Sequence, residues 1–189
     1  MDNLCHKVDD LINATETNYK VQQSVDHKID ELEDKICKAL IFEKFQVAKL
    51  MIDVVNFDMS DLYHDRMYLS SKKAEVFDLK KANDACISQD GYLVELEDNS
   101  ERDFVLSFIE KIGGATDFAI GGNDVAEEGK FVYYHSGEPV PQKVTWLPGE
   151  PNDSLQNEDC MGFWYAKKGL NDIRCDRVVK YVCEIPLTC

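Results

Sequence analysis

The chain has 189 residues, 44% hydrophobic and 30% charged, a balance that fits one well-cored domain with an added element and excludes a disordered chain. Lysine and arginine number 21 against 36 aspartates and glutamates, a net charge of −15. This leaves no basic surplus for binding nucleic acid or an anionic membrane surface, and it suits hard cations, which take carboxylate oxygens.

Residues 1–57 contain no proline or glycine, and their apolar residues recur at helical spacing. One heptad register places Leu4, Leu11, Asn18, Val25, Leu32 and Ala39 at d, with Val8, Thr15, Gln22, Ile29 and Ile36 at a. The seam is strong from Val25 to Ile36 and polar from Thr15 to Gln22. Asn13, in the glycosylation sequon Asn13-Ala14-Thr15, falls at the outermost f position. Beyond Leu40 the phase shifts to a stripe of Ile41, Phe45, Ala48, Ile52 and Val55, which suits packing on a globular domain. The expectation is an oligomerising coiled-coil and neck segment over 1–57; the alternative is a helical subdomain folded on its own chain. β-branched residues at a with leucine at d lean toward two strands, and the polar seam residues leave dimer or trimer open. Cys5 and Cys37 lie in this helix, either as interchain bridges or as free thiols. The apolar run 41–57 is interrupted by Glu43, Lys44, Lys49 and Asp53, so no membrane span is expected. The polar start MDNLCHKVDD carries no signal peptide and is read as the start of a mature or trimmed chain.

From Arg66 the texture changes. RMYLS reads as a strand, and KAEVFDLKKANDACISQDG as an amphipathic helix with Val76, Leu79, Ala82 and Ala85 or Cys86 on its inner face. YLVEL is a short strand, and EDNSERDFVLSFIEKIGG a second helix turning Phe104, Val105, Phe108 and Ile109 inward. FAIGG, GFWYA and KYVCEI read as further strands, separated by turn-rich loops of a length usually kept for function. The order is that of an α+β domain over 66–186.

Seven cysteines and four histidines show no CxxC pair or zinc-ligand spacing. Disulfides in an oxidising compartment are therefore expected, and with them secretion. The stretch WLPGEPNDSLQNEDC, residues 146–160, holds four carboxylates, three side-chain amides and two prolines. It is either a solvated loop or a cage of oxygens for a metal ion. An enzyme is not expected: no G-x-S-x-G, P-loop or H-E-x-x-H motif is present.

Cys86 closing the first helix of this domain, FAIGG, Cys160, Cys175 and Cys183 in YVCEIP, with GEPN ahead of Cys160, resemble the C-type lectin family over residues 66–186. The resemblance implies the C-type lectin-like fold, with disulfides Cys86–Cys183 and Cys160–Cys175. It implies a principal calcium and sugar site at Glu150, Asn152, Glu158, Asn171 and Asp172, with Pro151 in the cis form. Calcium takes 6–8 oxygen ligands, and this mixture of carboxylates and amides is of the type it prefers. The tripeptide Glu150-Pro151-Asn152 goes, in that family, with mannose-type sugars bearing equatorial 3- and 4-hydroxyls. A second, accessory calcium site would take Asp124, Glu128, Asp153, Glu158 and Asp159. The chain departs from the pattern at Leu170, where the family usually has tryptophan before Asn-Asp. Trp146, Phe163 and Trp164 are read as core residues, and the small Ser154 as a residue that faces the sugar. Cys189 has no partner in this frame and, with Cys5 and Cys37, is a candidate for interchain bridging.

The expected function is a secreted, calcium-dependent lectin for glycans with terminal mannose-type sugars, made multivalent by helix-mediated homo-oligomerisation. The alternative is a secreted acidic protein that binds a mineral surface or a protein partner, with calcium in a structural role.

Overall fold

The computed structural model describes residues 2–113 and 116–189, with side chains from residue 15 onward except Thr17. The side chains of Cys5, Asn13 and the heptad positions Leu4, Val8 and Leu11 lie outside the described residues. Two compact units are present: residues 1–44 with Cys189, and residues 45–188.

Helix α1 runs Asp2–Met51. It ends earlier than the apolar stripe suggests, because Asp53 captures the backbone: its carboxylate accepts from the Val55 and Asn56 N–H groups at 3.1 and 3.3 Å and from the Asn56 amide at 2.6 Å. Such an Asx turn offers the chain a rival to the helical ladder. Phe57 then opens a strand rather than closing the helix. In the first unit Cys37 is bonded to Cys189, their Cα atoms 5.7 Å apart. The interchain bridges expected of these two residues are thereby corrected, since the C-terminus lies within bridging distance of the chain's own helix.

The second unit carries strands β1 (Phe57–Met59), β2 (Arg66–Ser71), β3 (Glu75–Val76), β4 (Tyr92–Leu93), β5 (Phe118–Asn123), β6 (Val132–Tyr133), β7 (Cys160–Trp164), β8 (Gly169–Ile173) and β9 (Val178–Pro186). Helices α2 (Leu79–Ile87) and α3 (Asn99–Ile112) interrupt them. The sheet order is β1-β2-β9-β5-β7-β8, with β3 and β4 also paired to β9 and β6 to β5. The pairings are antiparallel except β5 with β9. The fold is α+β.

Both short helices start at aspartate caps. Asp78 accepts from Lys81 N–H at 2.9 Å, and Asp98 from Ser100 and Glu101 N–H at 2.8 and 3.0 Å, which satisfies donors that a helix N-terminus leaves free. The Asp78 cap moves the start of α2 past Val76, which instead pairs with Val178 in β3 and is exposed. Ala82 and Cys86 do face inward, with Asn83 between them, whose side-chain oxygen accepts from Leu93 N–H. Tyr68, Leu96, Val105, Ile109, Phe118, Ile120, Met161, Phe163 and Val182 form the core, with Phe104 and Trp146 packed at its margin. Disulfide Cys86–Cys183 ties α2 to β9, and Cys160–Cys175 ties β7 to the segment after β8.

One buried ionic cluster sits under this core. Arg66 pairs with Glu101 at 3.3 Å and Glu184 at 3.0 Å, and the Tyr68 hydroxyl donates to Glu101 at 2.6 Å. Glu101 and Glu184 are both buried. Burial, then the neighbouring Glu101 charge, pushes the Glu184 carboxyl up to about 7 against the pull of Arg66.

Candidate metal and ligand site

The oxygen-rich stretch follows a turn fixed by backbone bonds on both sides. Leu147 N–H donates to Leu170 O at 2.9 Å, and Glu150 N–H to Leu147 O at 3.0 Å. Gly149 occupies the left-handed region at φ 91, a conformation open to glycine without strain. The Glu150–Pro151 peptide is cis. Beyond it, Asp153, Leu155 and Gln156 all have positive φ (41, 64 and 54), each strained for a residue with a side chain.

Asp172, on β8, organises this loop. Its Oδ2 accepts from the backbone N–H groups of Asn152 at 2.8 Å and Asp153 at 2.6 Å. The Asn152 amide in turn donates to the Glu150 carboxylate. Across the loop, Asp153 Oδ1 accepts from Glu158 N–H and Glu158 Oε2 from Ser154 N–H, both at 3.1 Å. Asn171 and Asp172 are buried in the β7–β8 ladder, opposite Gly162 and Met161. A side chain at position 162 would collide with the Phe118 carbonyl of β5 at 2.8 Å, so glycine lets β5 and β7 close. The Asn171 amide donates to Asp172 O at 2.5 Å, which turns its own Oδ1 away from that bond.

Three buried side-chain oxygens find no hydrogen-bond partner among the described residues: Asp124 Oδ1, Asn171 Oδ1 and Asp172 Oδ1. All three are acceptors. Buried polar atoms are ordinarily paired, and leaving one unpaired is costly. Buried oxygens left without hydrogen-bond donors are of the type a hard cation takes as ligands. The residues present fit calcium.

The electrostatics agree. Desolvation, followed by the charges of Asp172 and Glu158, raises the Glu150 carboxyl above its ordinary range. Glu158 is raised by desolvation and, further, by Asp172 and Asp153. Asp124 is raised by desolvation and by Asp159 and Asp172, and the exposed Glu128 by desolvation and then by Asp124, Asp153 and Asp159. A divalent cation would relieve this mutual repulsion.

The accessory set divides. Asp124, Glu128 and Asp159 each bring a carboxylate oxygen to within 4.8 Å of one another. Asp124 Oδ2 is held by Gly129 N–H at 2.8 Å, and Asp124 N–H donates to Asp159 O at 3.1 Å. Asp153 and Glu158 lie outside that trio and face each other across the 153–158 loop.

The lectin C-type domain model matches residues 77–185 of the sequence. The chain belongs to the C-type lectin domain family. Collectin-11 of Bos taurus is 33% identical over 119 residues, covering 63% of this chain and 43% of that protein. Salivary C-type lectin 2 of Aedes albopictus is 38% identical over 76 residues, 38% of this chain and 50% of that one. These matches thus take in half or less of the relatives' own length. Among solved structures, the cow CD23 carbohydrate-recognition domain, determined in the presence of a GlcNAc2Man3 oligosaccharide, is 26% identical with a TM-score of 0.56, covering 71% of this chain and 95% of that one. The mouse scavenger receptor C-type lectin domain shares the fold at TM-score 0.58 and 24% identity, over 71% and 96% of the two chains.

Within this lectin domain Leu170 is fully buried at the position where the family usually has tryptophan, and its carbonyl anchors the 147–150 turn. Phe163 is core, and Trp146 packs edge-on against Phe131 at 4.8 Å. Trp164 is only partly buried, with Lys167 Nζ 3.7 Å over its ring. Two positions that shape the site are absent from the set expected on sequence. Gly149 carries a signal in the Pro-Gly dipeptide, whereas Leu147 acts through its backbone and leaves no side-chain signal. Among the described residues no helix is long and apolar enough to cross a membrane.

Proposed function

We propose that this lectin domain binds terminal mannose-type sugars in a calcium-dependent manner. Glu150, Asn152, Glu158, Asn171 and Asp172 would hold the principal ion, and Asp124, Glu128 and Asp159, joined by Asp153 and Glu158, an accessory one. When bound, calcium supplies coordination positions for two vicinal sugar hydroxyls. The protein supplies the hydrogen bonds around them: carboxylate oxygens of Glu150 and Glu158 accept, and the amide groups of Asn152 and Asn171 donate, using the full capacity of each hydroxyl. The order Glu-Pro-Asn supports the mannose-type reading through the arrangement of acceptor and donor along the loop.

The observation that carries the reading is the set of partnerless buried oxygens on Asp124, Asn171 and Asp172, each at a position the sequence pattern assigns to a cation. The intrachain disulfides support secretion into an oxidising compartment. A shallow sugar site binds weakly, and a dimer or trimer gathered by α1 would raise avidity by effective concentration. Isothermal titration tests the site. Calcium is expected to bind the free protein, and mannose to bind only the calcium-loaded one. Mannose binding of equal strength in EDTA would overturn the proposal.

A further inference from the structure

Among the described residues Tyr68, Tyr133 and Tyr181 are buried tyrosines, and they differ in one respect. The Tyr68 hydroxyl donates to Glu101 and the Tyr133 hydroxyl to Leu96 O, both at 2.6 Å. The Tyr181 hydroxyl has no hydrogen-bond partner among the described residues, although the residue is only 8% exposed. A buried tyrosine ordinarily finds a partner for its O–H, and packing alone would be served as well by phenylalanine. The ring itself is held in place. It meets Phe57 edge-on with centroids 6.1 Å apart, and the Tyr181 backbone N–H donates to Ser71 Oγ at 3.0 Å. Burial, and then the charge of Glu75, raises the phenol above its ordinary range, so it keeps its proton at neutral pH.

Two cavities, of about 400 and 160 Å³, share a wall of Glu75, Ala85 and Tyr181. The larger is of the size of a small-molecule site, and the small Ala85 side chain of α2 leaves it open. Asp53, Asn56 and Gln89 also line it, but their polar groups are spent on one another: the Asn56 amide donates to the Asp53 carboxylate, and Asp53 N–H to Gln89 Oε1. The Lys73 ammonium and the Glu75 carboxylate line the same cavity, and neither makes an ion pair among the described residues. Opposite charges that share a cleft without closing on each other leave room for a ligand that carries both. We infer that this cleft binds a small zwitterion of the amino-acid type, with its carboxylate at Lys73, its ammonium at Glu75, the Tyr181 hydroxyl bonded to it between them, and its carbon skeleton against Ala85 and the Phe57 ring. None of these residues belongs to the calcium set, so the site is separate from the one proposed for sugar and needs no ion.

The test uses the full chain in EDTA, which keeps the calcium site out of the readout. Saturation-transfer NMR is recorded with each of the standard free amino acids. Transfer is expected to those whose side chains fit the cleft, and is expected to vanish when the same amino acid is N-acetylated or converted to its carboxamide. Ala85→Trp fills the cavity and is expected to abolish transfer. Glu75→Gln is expected to weaken binding about tenfold and Tyr181→Phe about threefold, as loss of a charged and of a neutral hydrogen bond would give. These two mild variants keep the test open should Ala85→Trp fail to fold. No transfer to any amino acid with the wild type overturns the inference. So does binding that survives N-acetylation, or that is unchanged in both Glu75→Gln and Tyr181→Phe. Either outcome leaves the sugar site standing or falling on its own test, mannose binding in calcium.

Discussion

Asp172 shows how much a single side chain does in this domain. One of its oxygens accepts two backbone N–H groups from the Asn152–Asp153 segment, and the other is buried without a partner. The residue thus holds the loop and, on the proposed reading, offers its unpaired oxygen to the ion. Asp172→Ala is expected to abolish the calcium-induced rise in melting temperature; an undiminished rise would place the ion elsewhere. Exchanging acceptor and donor with Glu150→Gln and Asn152→Asp is expected to move sugar preference from mannose toward galactose, measured by competition with the two free sugars. Away from the site, Arg66 stands between the buried carboxylates Glu101 and Glu184. Arg66→Met leaves both without their cation and is expected to cost about 3–5 kcal/mol in denaturant unfolding. Glu184 also makes a pH signature. Its folded carboxyl titrates at about 7, above the ordinary value of about 4.3. Between these values the folded state holds more protons than the unfolded state, so this group's contribution to stability falls as pH rises through that window. Glu184→Gln is expected to flatten the stability profile there; an unchanged slope would assign it to other groups.

At the scale of elements, the residues that make the site visible in the sequence are not those that make it rigid. The Glu150-Pro151-Asn152 stretch, the acids of 153–159 and the Asn171-Asp172 pair are picked out by the resemblance to the C-type lectin family, and their oxygen-bearing side chains are of the type calcium prefers. Strand β8, which carries Asn171 and Asp172, is not legible as a strand, because GLNDI puts two polar residues where alternation calls for a buried one. On the proposed reading, burial of Asn171 and Asp172 follows from their role at the cation. The end of α1 is obscured for the opposite reason: Val54 and Val55 continue an apolar pattern, while the Asx turn at Asp53 acts through the backbone. Strand β3 is hidden inside an amphipathic run, and the Asp78 cap sets the true start of α2. The left-handed positions at Asp153, Leu155 and Gln156 are held by the surrounding contacts and, on the proposed reading, by the ion. Calcium is therefore expected to raise the melting temperature at pH 7 and to have no effect near pH 4. Because Glu150 and Glu158 titrate above the ordinary carboxylate range, calcium affinity should begin to fall at a pH higher than free carboxylates would give. A thermal-shift series from pH 4 to 8 reads this directly.

For the whole molecule, the acidic excess takes on a local meaning. Of the net charge of −15, the part that matters is the set of carboxylates raised by desolvation and then by one another around β8 and the 150–159 loop. The family assignment is open to sequence reasoning because the cysteine frame and the tripeptide come in a fixed order. The pairing of Cys37 with Cys189 is not, since 152 residues separate them and no spacing rule joins a helix to a distant C-terminus. On the proposed reading the division of labour is a helix that supplies number and a lectin domain that supplies a shallow, ion-dependent site. The most direct measurement is retention of the protein on mannose-agarose in calcium buffer, with elution by EDTA and, separately, by free mannose. The account predicts retention released by both. Passage through the column in calcium, with calcium binding still evident from the melting temperature, would contradict it and leave the ion a structural role alone.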